Sequence, residues 1–145
     1  MLEIYQNALC TAKLYEKYES LAREKNLGAC CVFCGIVRDE GGIEGLSFDI
    51  YLPLLQSWFE RWQSRLQKNG AALCMAHSVG DVGIGESSFM CAILSSQRKV
   101  ALGAYEEFIE DFKQNAPIWK YDLINKKRIY AKERSHALPQ SGLLA

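Results

Sequence analysis

The residues best suited to chemistry lie in one short stretch, Lys113-Gln114-Asn115-Ala116-Pro117-Ile118-Trp119-Lys120, which sets two lysines seven residues apart around a proline that ends a helix. A lysine in a packed, aromatic-flanked turn is expensive to keep charged, because desolvation and nearby cations favour the neutral amine and draw its pKa toward neutrality. Such an amine can carry protons. Two arginines extend the set: Arg38 at the end of a strand and Arg98 at the start of a helix. Arginine is always charged and forks onto phosphate or carboxylate oxygens. Arg38, Arg98, Lys113 and Lys120 together describe a cationic site for an anionic ligand.

The elements that must position these residues follow from periodicity. Thr11 to Lys25 carries Leu14, Tyr15, Tyr18, Leu21 and Ala22 at helical spacing, with Thr11 as N-cap and Gly28 as stop. Ala29 to Val37 and Gly45 to Tyr51 read as strands, joined across Asp39-Glu40-Gly41-Gly42 by a hairpin or a longer loop. Pro53 opens a second helix that runs to about Lys68, with Leu54, Leu55, Trp58, Phe59, Trp62 and Leu66 on one stripe and Asn69-Gly70 closing it. Ala71 to Val79 and Ser87 to Leu94 are two further strands around the glycine-bearing turn Gly80 to Glu86. This Gly-x-Gly opens no helix, so it is turn chemistry and not a dinucleotide fingerprint. His77 falls within a strand, where a lone histidine is more often a packing residue than a ligand, and it is assigned no role. A third helix spans about Lys99 to Asn115, with Ser95 and Ser96 able to cap it and with Arg98 beside its free N–H groups as an anion-binding corner. Pro117 forces Ala116 out of helical geometry, and Lys113, one turn beyond Ile109, lies at the edge of the buried stripe, placed for partial desolvation. Trp119 to Leu123 and Arg128 to Lys132 then form a basic hairpin turning at Asn125-Lys126. Strands and helices alternate without a βαβ rhythm. The fold class is therefore α+β, a single domain over residues 1–136 with a loose tail over 137–145.

Composition bounds the function. The 145 residues are 49% hydrophobic, and 17 basic residues balance 17 acidic ones, so the chain has no overall field for nucleic acid or an anionic membrane. Local charge is less even: from Lys113 to Arg134, the cations Lys113, Lys120, Lys126, Lys127, Arg128, Lys132 and Arg134 face only Asp122 and Glu133. No apolar run approaches the roughly 20 residues of a membrane span, and the N-terminus lacks the pattern of a leader, so a cytoplasmic protein is expected. Cys31-x-x-Cys34 resembles a redox or zinc pair by spelling, but on a strand residues three apart point to opposite faces. The six cysteines read as buried thiols in a reducing compartment, with no metal.

Four segments resemble a known family, the catalytic (large) subunit of molybdopterin synthase, or MoaE family. They are Gly28-Ala29-Cys30-Cys31-Val32-Phe33-Cys34-Gly35-Ile36-Val37-Arg38-Asp39, His77-Ser78-Val79-Gly80-Asp81-Val82-Gly83-Ile84-Gly85-Glu86, Ser95-Ser96-Gln97-Arg98-Lys99 and Phe112 to Lys120. The Lys-x-x-x-Pro-x-Trp-Lys element is the most specific of them. The resemblance implies an α/β-hammerhead type of fold, mainly antiparallel sheet with three helices. It also implies sulfur transfer. A small ubiquitin-like partner carries a thiocarboxylate on a Gly-Gly C-terminus, and the sulfur passes to cyclic pyranopterin monophosphate to build the dithiolene of molybdopterin. The implied assembly is a homodimer of large subunits within a heterotetramer, with no cofactor required. Lys113 then takes acid/base work or stabilises the acyl intermediate, and Lys120 holds negative charge and depresses its neighbour's pKa. Arg38, Arg98 and Gln97 bind substrate. Phe33 and Ile109 line the pocket or simply pack in the core. Arg134, in preference to Lys132, reaches the neighbouring subunit's site.

Two positions depart from the family pattern. Gln97 stands where many members have histidine, removing an imidazole, and Ser78 where members commonly carry arginine, removing a cation. Two other functions compete with sulfur transfer: a non-catalytic module that binds an anion or a partner's tail, and an RNA-contacting domain using the basic hairpin. Neutral net charge and the lack of an aromatic stacking motif on a strand weigh against RNA.

Overall fold

The computed structural model describes residues 1–131; Lys132, Arg134, the expected boundary at residue 136 and the tail over 137–145 lie outside the described residues. The elements in chain order are β1 (Leu2–Gln6), α1 (Thr11–Glu24), β2 (Ala29–Ile36), β3 (Gly45–Ile50), α2 (Leu52–Gln67), β4 (Ala72–Gly83), β5 (Ser87–Ser95), α3 (Arg98–Asn115), β6 (Ile118–Ile124) and β7 (Lys127–Tyr130). The strands make one mainly antiparallel sheet in the order β2-β5-β4-β3-β6-β7, with β1 parallel to β4. The α+β class stands.

Strand β4 serves two halves of this sheet. Its first part, Ala72 to His77, pairs with β5, while Gly80 to Gly83 pair with β3. Gly80 marks the crossing with φ +80°, and a Cβ there would meet the Gln6 amide at 2.5 Å. The positive φ favours glycine, while the flexible Gln6 side chain could move aside.

Each face of the first half is covered by helix. Alternation along β4 and β5 sends Leu73, Met75, Phe89, Cys91 and Ile93 against α2 and α3, where they join Trp58, Trp62, Phe108 and Phe112. Cys74, Ala76, Met90, Ala92 and Leu94 meet Leu14, Tyr18 and Ala22 of α1 on the opposite face. A carboxylate clamps α2 to α3: the Trp58 and Trp62 indoles donate to Asp111 Oδ2 at 2.9 and 2.6 Å, and the Asn115 amide donates to Oδ1 at 2.6 Å.

Several expectations need correction. Thr11 is the first helical residue of α1, with Cys10 at the N-cap and no side-chain capping bond. The helix ends at Glu24 with Lys25 as C-cap; Asn26 follows at φ +55°, a conformation asparagine tolerates, and Leu27 N–H donates to the Ala22 carbonyl at 2.8 Å. Gly28 instead serves close packing, since a Cβ there would sit 3.0 Å from the Ser96 carbonyl. Of the two connections left open between β2 and β3, the longer loop is the one present, since β2 pairs with β5, and β3 with β4 and β6. Strand β4 runs on to Gly83, and the turn narrows to Gly83-Ile84-Gly85-Glu86. β1 carries no strong local signature and was not expected.

Other local readings hold. Pro53 lies in the first turn of α2, and Gly70, at φ +74°, lets Ala71 N–H reach the Leu66 carbonyl at 2.9 Å. Asn125 and Lys126, with φ of 51° and 60°, make the two-residue turn between β6 and β7.

Gly45 lies so close to β4 that a Cβ would meet the Val82 carbonyl at 2.4 Å. Gly45→Ala is expected to lower stability by about 1–3 kcal/mol, read from the urea midpoint. An unchanged midpoint would mean that the β3–β4 spacing relaxes without cost.

Candidate active site

The turn after α3 brings the two lysines together. Ala116 leaves the helix at φ −65° and ψ 131°, its N–H bonded to the Phe112 carbonyl at 3.2 Å, and Ile118 N–H then bonds back to the Ala116 carbonyl at 2.8 Å around Pro117. This tight reversal is an inverse γ-turn in hydrogen-bond pattern. It turns the chain from the last turn of α3 directly into β6.

Lys113 and Lys120 line one cavity of about 300 Å³, together with Arg38. The cavity lies where the two halves of the sheet meet: Gly35 to Arg38 come from the end of β2, His77 and Phe89 from β4 and β5, and Phe48 and Ile118 from β3 and β6. Three phenylalanines, Phe48, Phe89 and Phe112, wall it, and the rings of Phe89 and Phe112 stack with centroids 3.9 Å apart. Cations therefore meet an apolar lining, where charge interactions are stronger than in water.

The cations differ in setting. The Arg38 side chain is 83% exposed and pairs with Glu40 at 3.4 Å, so an entering anion competes with a weak, solvated carboxylate. Lys120 is half-buried. Lys113 is exposed, a correction to the partial desolvation expected from helical phase. The helix does place it at the edge of the buried stripe beside Phe112, but the cavity opens to solvent on that side.

His77, assigned no role from its strand position, lies in the cavity wall and is only 3% exposed. Its ring meets Phe48 edge-on at 5.0 Å and lies 5.9 Å from both Phe89 and Phe112. Its Nδ1 is 2.8 Å from the Ser78 carbonyl, and because a carbonyl only accepts, Nδ1 carries the proton. Burial lowers its pKa to about 4, against the Ser78 bond, which raises it; the charge of Lys113 lowers it further. His77 shares strand parity with Leu73 and Met75, whose core face it extends. In the sequence only its phase with the apolar residues Leu73 and Met75 set it apart, because the aromatic rings around it come from other elements.

Other expected site residues lie elsewhere. Arg98 begins α3 and Lys113 stands in its last turn, about 22 Å away at about 1.5 Å rise per residue. One chain therefore does not bring Arg98 into this cavity. Gln97 is the exposed N-cap of the same helix and makes no side-chain capping bond. Of the two serines expected to cap, Ser95 does so from a distance, its hydroxyl accepting from Ala101 N–H at 3.2 Å and donating to the Gln97 carbonyl at 2.6 Å. Phe33 packs against Phe89 and Tyr105, and Ile109 is buried in the core; neither lines the cavity. Ser78 is fully buried outside the cavity lining, so its departure from the family pattern takes no cation from this site. Arg134 lies outside the described residues.

The cysteines correct one expectation. Cys74 and Cys91 are buried, but Cys30, Cys31 and Cys34 are half-buried and Cys10 is exposed. Burial raises the thiols of Cys74, to about 11, and of Cys91, so neither is a ready nucleophile. Among the described residues no cluster of histidine, cysteine or carboxylate could hold a metal ion.

Fold and cavity define a small α+β protein in which two lysines and an arginine gather beside an apolar slot. Residues 7–115 match the sequence model of a family described as MoaE protein. The molybdopterin synthase catalytic subunit of Helicobacter pylori (strain ATCC 700392 / 26695) is 61% identical over 145 residues, covering all of both chains, and that of Bacillus subtilis (strain 168) is 29% identical over 126 residues, covering 83% of this chain and 78% of its own. Among solved structures, a complex of subunits 1 and 2 of molybdopterin-converting factor from Helicobacter pylori 26695 superposes with a TM-score of 0.93 at 61% identity, covering 99% of each chain. Molybdopterin synthase from Staphylococcus aureus superposes with a TM-score of 0.74 at 26% identity, covering 88% of this chain and 94% of its own. The chain belongs to the MoaE family.

Proposed function

We propose that this chain is the catalytic subunit of a molybdopterin synthase, moving sulfur from the thiocarboxylated Gly-Gly tail of a small ubiquitin-like subunit to cyclic pyranopterin monophosphate. The observation that carries the reading is the convergence of Lys113, Lys120 and Arg38 on one apolar-walled cavity. The tail's thiocarboxylate and the substrate's phosphate are both anions, and fixed cations beside a low-dielectric wall stabilise the charge that develops as sulfur is transferred. Lys113 moves protons as sulfur adds and the oxygen leaving group departs, or stabilises the tetrahedral acyl intermediate. Lys120 holds negative charge on the same side. Arg38 exchanges Glu40 for substrate oxygens.

The assembly is a homodimer of this chain with one small subunit at each end. Arg98 and Gln97, too far from Lys113 in one chain, take part only if a second copy presents them. Arg134 would cross the same interface. Among the described residues no helix is long and apolar enough to cross a membrane, and six free cysteines suit a reducing compartment, the cytoplasm.

Mixing the protein with thiocarboxylated small subunit and cyclic pyranopterin monophosphate is expected to yield molybdopterin in a single turnover. A stable complex that forms no product would replace this reading with that of a non-catalytic module for anions or partner tails.

A further inference from the structure

The cavity has ample donors and few acceptors. Arg38, Lys113 and Lys120 can only donate hydrogen bonds, the Glu40 carboxylate stands beside Arg38, and the nearly buried Ser88 hydroxyl both donates and accepts. His77 differs. Its Nδ1–H is committed to the Ser78 carbonyl, which leaves Nε2 with a lone pair. Nε2 has no partner among the described residues, and it is not among the buried unpartnered atoms there, which are Glu3 Oε1, the Tyr18 hydroxyl and Ser78 Oγ. On a residue of the cavity wall, an unpartnered nitrogen that is not sealed from solvent is an acceptor within reach of a molecule entering the cavity.

We propose that His77 reads the small subunit's glycine tail: its Nε2 accepts a hydrogen bond from a backbone N–H of the Gly-Gly segment. The proposal rests on the tail entering this cavity, as argued above. A Gly-Gly segment offers no side chain to recognise, so its backbone is all that a receptor can read. In a slot walled by Phe48, Phe89 and Phe112, an amide N–H without an acceptor loses its bond to water and gains nothing in return. A carboxylate at position 77 would supply the acceptor but repel the thiocarboxylate one bond series away. A neutral imidazole supplies it without that penalty, and burial among the three rings keeps His77 neutral at physiological pH. The bond to Ser78 fixes both the tautomer and the ring plane, so the acceptor is aimed before the tail arrives.

The test is a double-mutant cycle on binding, using the non-thiolated small subunit so that no turnover occurs, either full-length or lacking its last two glycines. His77→Phe keeps the ring shape without the acceptor, His77→Asn reaches only the Nδ1 position, and His77→Gln can place an oxygen near the Nε2 position. His77→Phe and His77→Asn are expected to weaken binding of the full-length small subunit about tenfold, to leave the truncated one unchanged, and His77→Gln to restore most of the loss. Equal weakening of both small subunits would reduce His77 to a packing residue and overturn the proposal. So would unchanged binding of both. If the unaltered protein bound full-length and truncated small subunits equally, the tail would not occupy the cavity, and the functional reading of the site would fall with the proposal.

Discussion

Lys113→Ala is expected to slow single-turnover formation of molybdopterin by about 10²–10⁴-fold while binding of the small subunit stays within about threefold of normal, the range typical for loss of an acid/base group. The split follows from the position of Lys113. Its side chain is exposed at the cavity edge and makes no core contact whose loss would unfold the chain. The small subunit would still find its docking surface, and only the proton-carrying amine would be missing. A fall in affinity that matches the fall in rate would instead make Lys113 a binding group and favour the non-catalytic reading.

Asp111→Ala is expected to cost about 2–4 kcal/mol of stability, because it strands two indole N–H groups at the α2–α3 contact as well as removing the carboxylate. Burial pushes the Asp111 carboxyl up, but donation from Trp62, Asn115 and Trp58 outweighs it and holds the group below the usual carboxylate range. A carboxyl lowered in the folded state adds stability above its unfolded pKa and loses it as pH falls through the folded one. Urea midpoints of the unaltered protein should therefore drop between about pH 5 and pH 2, and Asp111→Asn, which retains an acceptor oxygen without the charge, should flatten that part of the curve. An equally steep acid limb in Asp111→Asn would assign it to other carboxyls.

The three helices and the β6–β7 hairpin were legible because their signals are local. Pro53 and Pro117 mark helix ends, the apolar stripe of Trp58, Phe59 and Trp62 repeats at helical spacing, and Asn125-Lys126 suits a two-residue turn. The pairing of β2 with β5 was not legible: β3, α2 and β4 separate them in the chain, and their register depends on which face each must bury. β1 has only five residues and depends on β4 for its hydrogen bonds. At the site, Lys113, Lys120 and Arg38 were found because a single turn and a strand end deliver them to one cavity. Arg98 was grouped with them on chemistry alone, although a helix predicted from Lys99 to Asn115 already put the two cations at opposite ends of a rod. His77 was passed over because a strand histidine has no local mark of function, and its meaning comes from Phe48, Phe89 and Phe112, which other elements supply.

The reversal at Pro117 has a bearing on how this protein tolerates change. Lys113 and Lys120 sit on one unbroken run of chain that turns within two hydrogen bonds, so their mutual placement is inherited from backbone connectivity more than from the fit of distant side chains. Substitutions deep in the α2 or α1 layers should therefore thin the population of folded molecules while sparing the turnover of each survivor. Drift in sequence would then be felt first as scarcity, and only later as a slower reaction.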